Sequence, residues 1–408
     1  IRLSVMKNKI LIAIFTLFSY GLSAQQVTEI WTNYDGFWRS SETNPNNTTF
    51  PDDSHELLAF KFGTTIYSTG VDDQKLTDNG VNFIAKTWRA LPVASLPAGG
   101  WPNLIGFGQL ADGINDGIDV TTSTNPDQPI DDGVTLTGAE VASFLTDGKQ
   151  GLDLGTNVTN IVGGTPAKFN LSSAGITLAN VGDGIPDILI SQTAQPTPNT
   201  DELKFVQSDG VTVVGNVVTL DITQEPVVGN WDVDFFKMDG SAIDSNNTSS
   251  PSNFVNTPRP IHFFAIDIAD FGIDNSNIDD AAALIYTPNG NSDPSFLAFN
   301  EPTLGVAAKL KVLAQPTKQE CDGTLGSPIT VQLEDMNGNF VPQAGITITA
   351  TLETGPGDFT ATSTVTADTN NIGVATFSNL AFTVGAPHKI SFSFANLDVA
   401  ITTEIGNA

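Results

Sequence analysis

Turn signals break this chain every eight to twenty residues, and the apolar runs between them are too short for helices of ordinary length. Residues 181–192, VGDGIPDILISQ, show the unit that recurs. An acidic glycine turn (Gly182, Asp183, Gly184) and Pro186 lead into Ile188-Leu189-Ile190, which lacks polar alternation and so reads as a strand buried on both faces. A parallel α/β fold needs a helix between successive strands, and this spacing argues against one. The expected fold is all-β: a large N-terminal β-sandwich, jelly-roll-like, with one or two short helices, followed by an immunoglobulin-like β-sandwich.

Residues 6–24 read as a secretory signal peptide. Lys7 and Lys9 form its basic front, residues 10–18 its apolar middle, and Leu22-Ser23-Ala24 its cleavage site. Met6 is the expected start, residues 1–5 read as upstream frame, and the mature chain is expected to begin at Gln25. The apolar middle is shorter than a bilayer requires, no later stretch is long enough, and no cysteine stands directly after the apolar segment to carry a lipid. The Ala-Gln junction after Met-Lys-Asn-Lys resembles the exported proteins of Bacteroidetes, which implies a secreted or outer-surface location in a Gram-negative bacterium.

Removing residues 1–24 takes away Arg2, Lys7 and Lys9 and no acid, so the formal charge moves from -28 to -31. Such a chain repels nucleic acid and anionic lipid and attracts divalent cations or basic partners. Cys321 is the only cysteine, so burial must hold this exported fold without an intrachain disulfide, with metal as a conceivable aid.

The 384 residues after the signal exceed one core, and the connector at 300–306, NEPTLGV, marks the seam. The first domain is expected over 25–303. Strands are expected at 27–34, 57–67 (a hairpin around Gly63), 83–91, 203–207, 211–222, 230–238 and 261–268. Residues 283–287 and 296–300 read as a closing hairpin. Short helices are expected at 137–145 and 276–282, and residues 112–132 as a long acidic loop.

The second domain is expected over 306–405. Seven short strands, at 309–313, 329–334, 346–352, 363–367, 374–377, 389–394 and 399–403, alternate with glycine turns. AAKLKVLAQP, ITVQLEDMNGNFV, ITITATLETGPGDF and NIGVATFSNLAFTVGAPHKISFSFANL together resemble the bacterial immunoglobulin-like repeats of invasin- and intimin-type surface proteins. The resemblance covers about a quarter of the chain and implies the fold and a spacer or stalk role, with no functional residue carried over. Exported proteins of this look often continue with further repeats and a sorting domain, which leaves open that the chain is a fragment.

Three chemistries have candidate residues. For calcium they are Asp183 and Asp187 around the central turn, and Asp112, Asp116 and Asp119 in the acidic loop, all of which also suit plain turn geometry. For hydrolysis they are Asp232 and Asp234, which alternate with Val233 and so share one face of a strand; the competing reading is the solvent face of an edge strand. For a glycan they are Trp38, Trp88 and Trp101, whose rings suit sugar faces and equally suit a core. His55, His262 and His388 lack metal-site spacing and read as structural. The leading expectation is an exported, non-catalytic, adhesin-like protein that binds a glycan or an extracellular protein through its first domain. The alternatives are a secreted polysaccharide hydrolase and a stalk segment of a giant adhesin.

Overall fold

The computed structural model describes residues 26–40, 55–93, 106–110, 141–142, 144–164, 166–193, 199–238, 249–251, 257–316, 318–319, 325–395 and 397–407, with backbone alone at 35, 106–110, 231–238, 249–251 and 407. Cys321, Trp101, Asp112, Asp116 and Asp119 lie outside the described residues. Among the described residues no helix is long and apolar enough to cross a membrane.

The first domain is a sandwich of three stacked sheets. One outer sheet holds β1 (Val27–Thr32), β2 (Trp38–Arg39), β3 (Leu57–Phe62) and β4 (Thr65–Ser68) in the order β2-β1-β3-β4. The central sheet runs β5-β16-β9-β14-β12-β6-β7. Its strands are β5 (Trp88–Ala90), β6 (Gly106–Leu110), β7 (Thr156–Thr159), β9 (Ile188–Gln192), β12 (Gly229–Met238), β14 (Thr257–Ile266) and β16 (Leu297–Asn300), with β13 (Ser249–Pro251) beside β12. The other outer sheet is β11-β10-β15-β8, from β8 (Ala167–Asn170), β10 (Asp201–Val206), β11 (Val213–Leu220) and β15 (Ala283–Thr287).

The middle position of the central sheet explains the unbroken apolar runs. Side chains alternate across a strand, so a sheet covered on both faces needs apolar residues at every position. In β9, Ile188 and Ile190 enter the core shared with β10 and β15, while Leu189 enters the core shared with β1 and β3. β14 divides the same way, with Phe264 and Ile266 on one side and Ile261 and Phe263 on the other. Edge-to-face ring pairs tie the layers: Phe205 on Phe271 at 4.9 Å and Phe60 on Trp88 at 5.3 Å between centroids.

Residues 283–300 do not form the expected closing hairpin. β15 lies in an outer sheet and β16 in the central one, so the polar connector between them carries the chain across the sandwich. Asp201 secures that crossing from β10. Its carboxylate accepts from Tyr286 Oη and Ser292 Oγ, both at 2.6 Å, and from Asn289 N at 3.0 Å. Of the two expected helices, that at 276–282 appears as a 3₁₀ turn at Ile278–Asp280; that at 137–145 is described at 141–142, which are α-helical, and at the 3₁₀ turn Phe144–Thr146. An α-helix not expected from the sequence lies at Asp73–Asp78, where the Asp72 carboxylate accepts from Lys75 N at 2.9 Å as an N-cap.

The second domain is a two-sheet sandwich. β17 (Lys309–Ala314), β19 (Ile329–Glu334) and β22 (Val374–Phe377) form one sheet; β20 (Thr347–Thr354), β21 (Thr366–Asp368), β23 (Lys389–Ser393) and β24 (Ala400–Ile401) form the other. A short parallel pair, β18 (Lys318–Gln319) with β25 (Gly406–Asn407), adds to these. The Asp-Met-Asn-Gly-Asn turn is built by Asp335, whose Oδ1 accepts from the backbone of Asn337 and Asn339 at 2.9 Å each.

Candidate functional site

The densest buried chemistry is an acidic cluster where residues 147–156 wrap over the strand pair β1–β3. Leu57 N donates to Leu152 O and Leu154 N to His55 O, so the wrap adds backbone bonds to the edge that precedes β3. This brings Glu56, Asp147 and Asp153 together beside His55 and Asn33, none more than 9% exposed. Close approach requires glycine at 148. Its φ is +81°, and an added Cβ would lie 2.7 Å from the Asp153 Cβ. Gly148→Ala is expected to cost about 1–3 kcal/mol of stability, read as a lower Tm.

Each carboxylate meets backbone donors. Asp147 Oδ1 accepts from Gly148 N at 2.8 Å, Asp153 Oδ1 from Gly155 N at 2.7 Å, and Glu56 Oε1 from Lys149 N at 2.8 Å. Glu56 Oε2 accepts from Asn33 Nδ2 at 2.8 Å, and Asn33 Oδ1 from Glu56 N at 2.7 Å. Gln150 holds a left-handed backbone, φ 59°, with its amide nitrogen donating to Trp88 O at 3.0 Å. Burial first, and then the Asp153 and Glu56 charges, push the Asp147 carboxyl well above its ordinary range. Burial drives His55 down to about 3, leaving a neutral ring stacked on Tyr34 at 4.7 Å.

These hydrogen bonds rigidify the wrap. It presents no open carboxylate pair to a sugar or peptide. Among the described residues, no three His, Cys, Asp or Glu side chains are grouped so as to hold a metal ion. The pairing of Asp-Gly at 147–148 with Asp153 and Gly155 was a legible turn signal, but its nearness to His55 and Glu56 is purely tertiary.

The sequence candidates fall elsewhere. Asp183 is exposed and its Oδ1 accepts from Ile185 N at 2.8 Å, a turn role. Asp187 is fully buried, and its Oδ2 accepts from Ile268 N at 2.9 Å. Asp183 thus serves its own turn, while Asp187 ties that turn to the segment after β14. The backbones of Asp232 and Asp234 lie on one face of β12, opposite Pro258 and Gln109. β12 is internal to the central sheet, which corrects the edge-strand reading; their side chains lie outside the described residues.

Trp38 and Trp88 are corrected as exposed sugar platforms. They are 8% and 0% exposed and belong to the core between β3 and the central sheet, because their rings fill the wide gap between layers. Trp101 lies outside the described residues. His262 Nδ1 meets Glu225 O at 3.0 Å, and His388 stacks on Phe382 at 3.8 Å, both packing roles.

No family model and no curated protein matches the chain. Among solved structures it is similar to the beta-1,2-glucanase from Parabacteroides distasonis at 10% identity and a TM-score of 0.17, over 62% of this chain and 31% of that one. The chain thus spans about a third of that protein's length, and a likeness this distant carries no argument.

Proposed function

We propose that this chain is an exported, non-catalytic surface or matrix protein that recognises a glycan or an extracellular protein through its first domain. The observation that supports this reading is the appended second sandwich, whose sheets follow the strands on which the invasin-type resemblance rests. Such modules position a binding domain and supply no chemistry of their own. The acids described in the first domain serve turns and buried networks, which fits recognition better than hydrolysis.

The test is a glycan and polysaccharide binding panel on residues 25–408, with reducing-end release assayed in the same wells. Saturable binding without release supports the proposal. Release of sugar ends, abolished by Asp232→Asn or Asp234→Asn, replaces it with the hydrolase reading. With Trp38 and Trp88 in the core, Trp101 remains the tryptophan proposed for sugar contact. Under that reading Trp101→Ala is expected to weaken binding about tenfold, the equivalent of about 1.4 kcal/mol. Calcium enters as a separate expectation: a chelator should lower Tm, and an unchanged Tm removes it.

A further inference from the structure

We infer that the immunoglobulin-like domain is clamped to the first domain as one rigid body, with Arg89 at the centre of the clamp, and does not swing as a free spacer. This goes beyond the proposed function and stands whatever the ligand proves to be.

A flexible linker is exposed and belongs to neither core. Here Leu304 and Val306 pack into the first domain's core, while Ala307 and Leu310 pack into the second's, and residues 303, 304, 306, 307 and 308 are at most 1% exposed. The cores follow one another without a spacer. The connector is also bonded as a strand would be: Glu301 N donates to Thr87 O at 3.0 Å, Thr177 N to Thr303 O at 2.9 Å, and Gly305 N to Gly175 O at 3.1 Å.

Polar contacts flank this buried connector on two sides. On one, Arg89 of β5 reaches both domains. Its Nε donates to Glu301 Oε1 at 2.6 Å and its Nη2 to Asp398 Oδ1 at 3.0 Å. Arg89 and Glu301 are each 5% exposed, so this pair is shielded from salt and holds the guanidinium in place, while the Asp398 side chain that takes the bond across is 55% exposed. Asp398 is itself anchored within its domain, with its N donating to Ala308 O and its O accepting from Leu310 N, both at 2.9 Å. On the other side, Asn170 Nδ2 donates to Pro342 O at 2.6 Å and Ser173 N to Phe340 O at 3.1 Å. Between them the chains touch. A Cβ at Gly305 would lie 2.3 Å from Ser172 Oγ, 3.0 Å from Gly175 O and 3.2 Å from Asp335 Oδ2, so a larger residue there would have to displace Ser172.

Two separated sets of contacts around a buried connector remove both hinge bending and twist. The test is a pulsed electron-spin distance measurement on residues 25–408, with Cys321→Ser and spin labels at V211C and I372C, both exposed in the parent. A single narrow distance distribution is expected. Arg89→Ala risks unfolding because it strands Glu301, so the clamp is opened by D398A with N170A, which leave both cores intact. That pair is expected to broaden the distribution while circular dichroism stays unchanged. A broad distribution in the parent overturns the rigid joint, and a narrow one in the double variant overturns the assignment of the clamp to these contacts.

Discussion

The folded chain is expected to lose stability as the pH rises from about 5 to about 8, with the optimum near pH 5. Burial pushes Asp187 up to about 7 and Asp293 up to about 6, from an ordinary 3.8, and half-buried Glu225 up to about 7 through burial and the Asp221 charge. Burial raises Asp201 and Glu301 as well. A carboxyl whose folded pKa is raised binds more protons folded than unfolded. Its stabilisation is complete below the unfolded value near 4 and is lost as the pH passes through the folded value. Each pKa unit is worth about 1.4 kcal/mol, so Asp187 and Asp293 together carry about 3–6 kcal/mol after allowance for water penetration.

Two histidines oppose this at the acid end. Burial holds His55 down at about 3 and lowers His262, so the unfolded chain gains protons below about 6.5 that the folded chain refuses. Exposed Asp209, Asp221 and Asp274, whose carboxyls are lowered by Thr and Ser hydrogen bonds, also lose their contribution in acid. These effects set the lower limb of the profile while the buried carboxyls set the upper. Melting curves at several pH values check it. A Tm at pH 8 equal to that at pH 5 would refute the buried-acid account. Asp187→Asn, which keeps an acceptor for Ile268 N, should flatten the upper limb.

Legibility followed the range of the interactions. β15, β19 and β22 lie where turn residues and alternation put them, because both signals are local. The double-faced runs at 188–190 and 261–266 correctly signalled a covered central sheet, yet nothing local says that two different sheets cover it. The separation of β15 from β16 is illegible for the same reason: two apolar runs around a turn look alike whether they pair or part. The acidic cluster was harder still. His55 and Glu56 meet Asp147 and Asp153 only because the wrap returns across roughly ninety residues, so a histidine that looks isolated in sequence sits among carboxyls in the fold.

Trp88→Ala is expected to cost about 3–5 kcal/mol, enough to unfold the first domain or nearly so. Trp88 stands on the short edge strand β5, wholly buried, with its ring edge-on to Phe60, and it closes the core between the central sheet and β3. A cavity between two sheets collapses only if a whole strand moves. Its indole Nε1 is buried without a hydrogen-bond partner among the described residues, so the native ring already carries a desolvation cost. Trp88→Phe removes that orphaned donor along with part of the volume and is therefore expected to cost only about 1 kcal/mol. Denaturant unfolding of the pair separates packing from ligand contact. If Trp88 served a glycan, the phenylalanine variant would keep its fold and lose binding; with Trp88 in the core, binding in both variants should track the folded fraction alone.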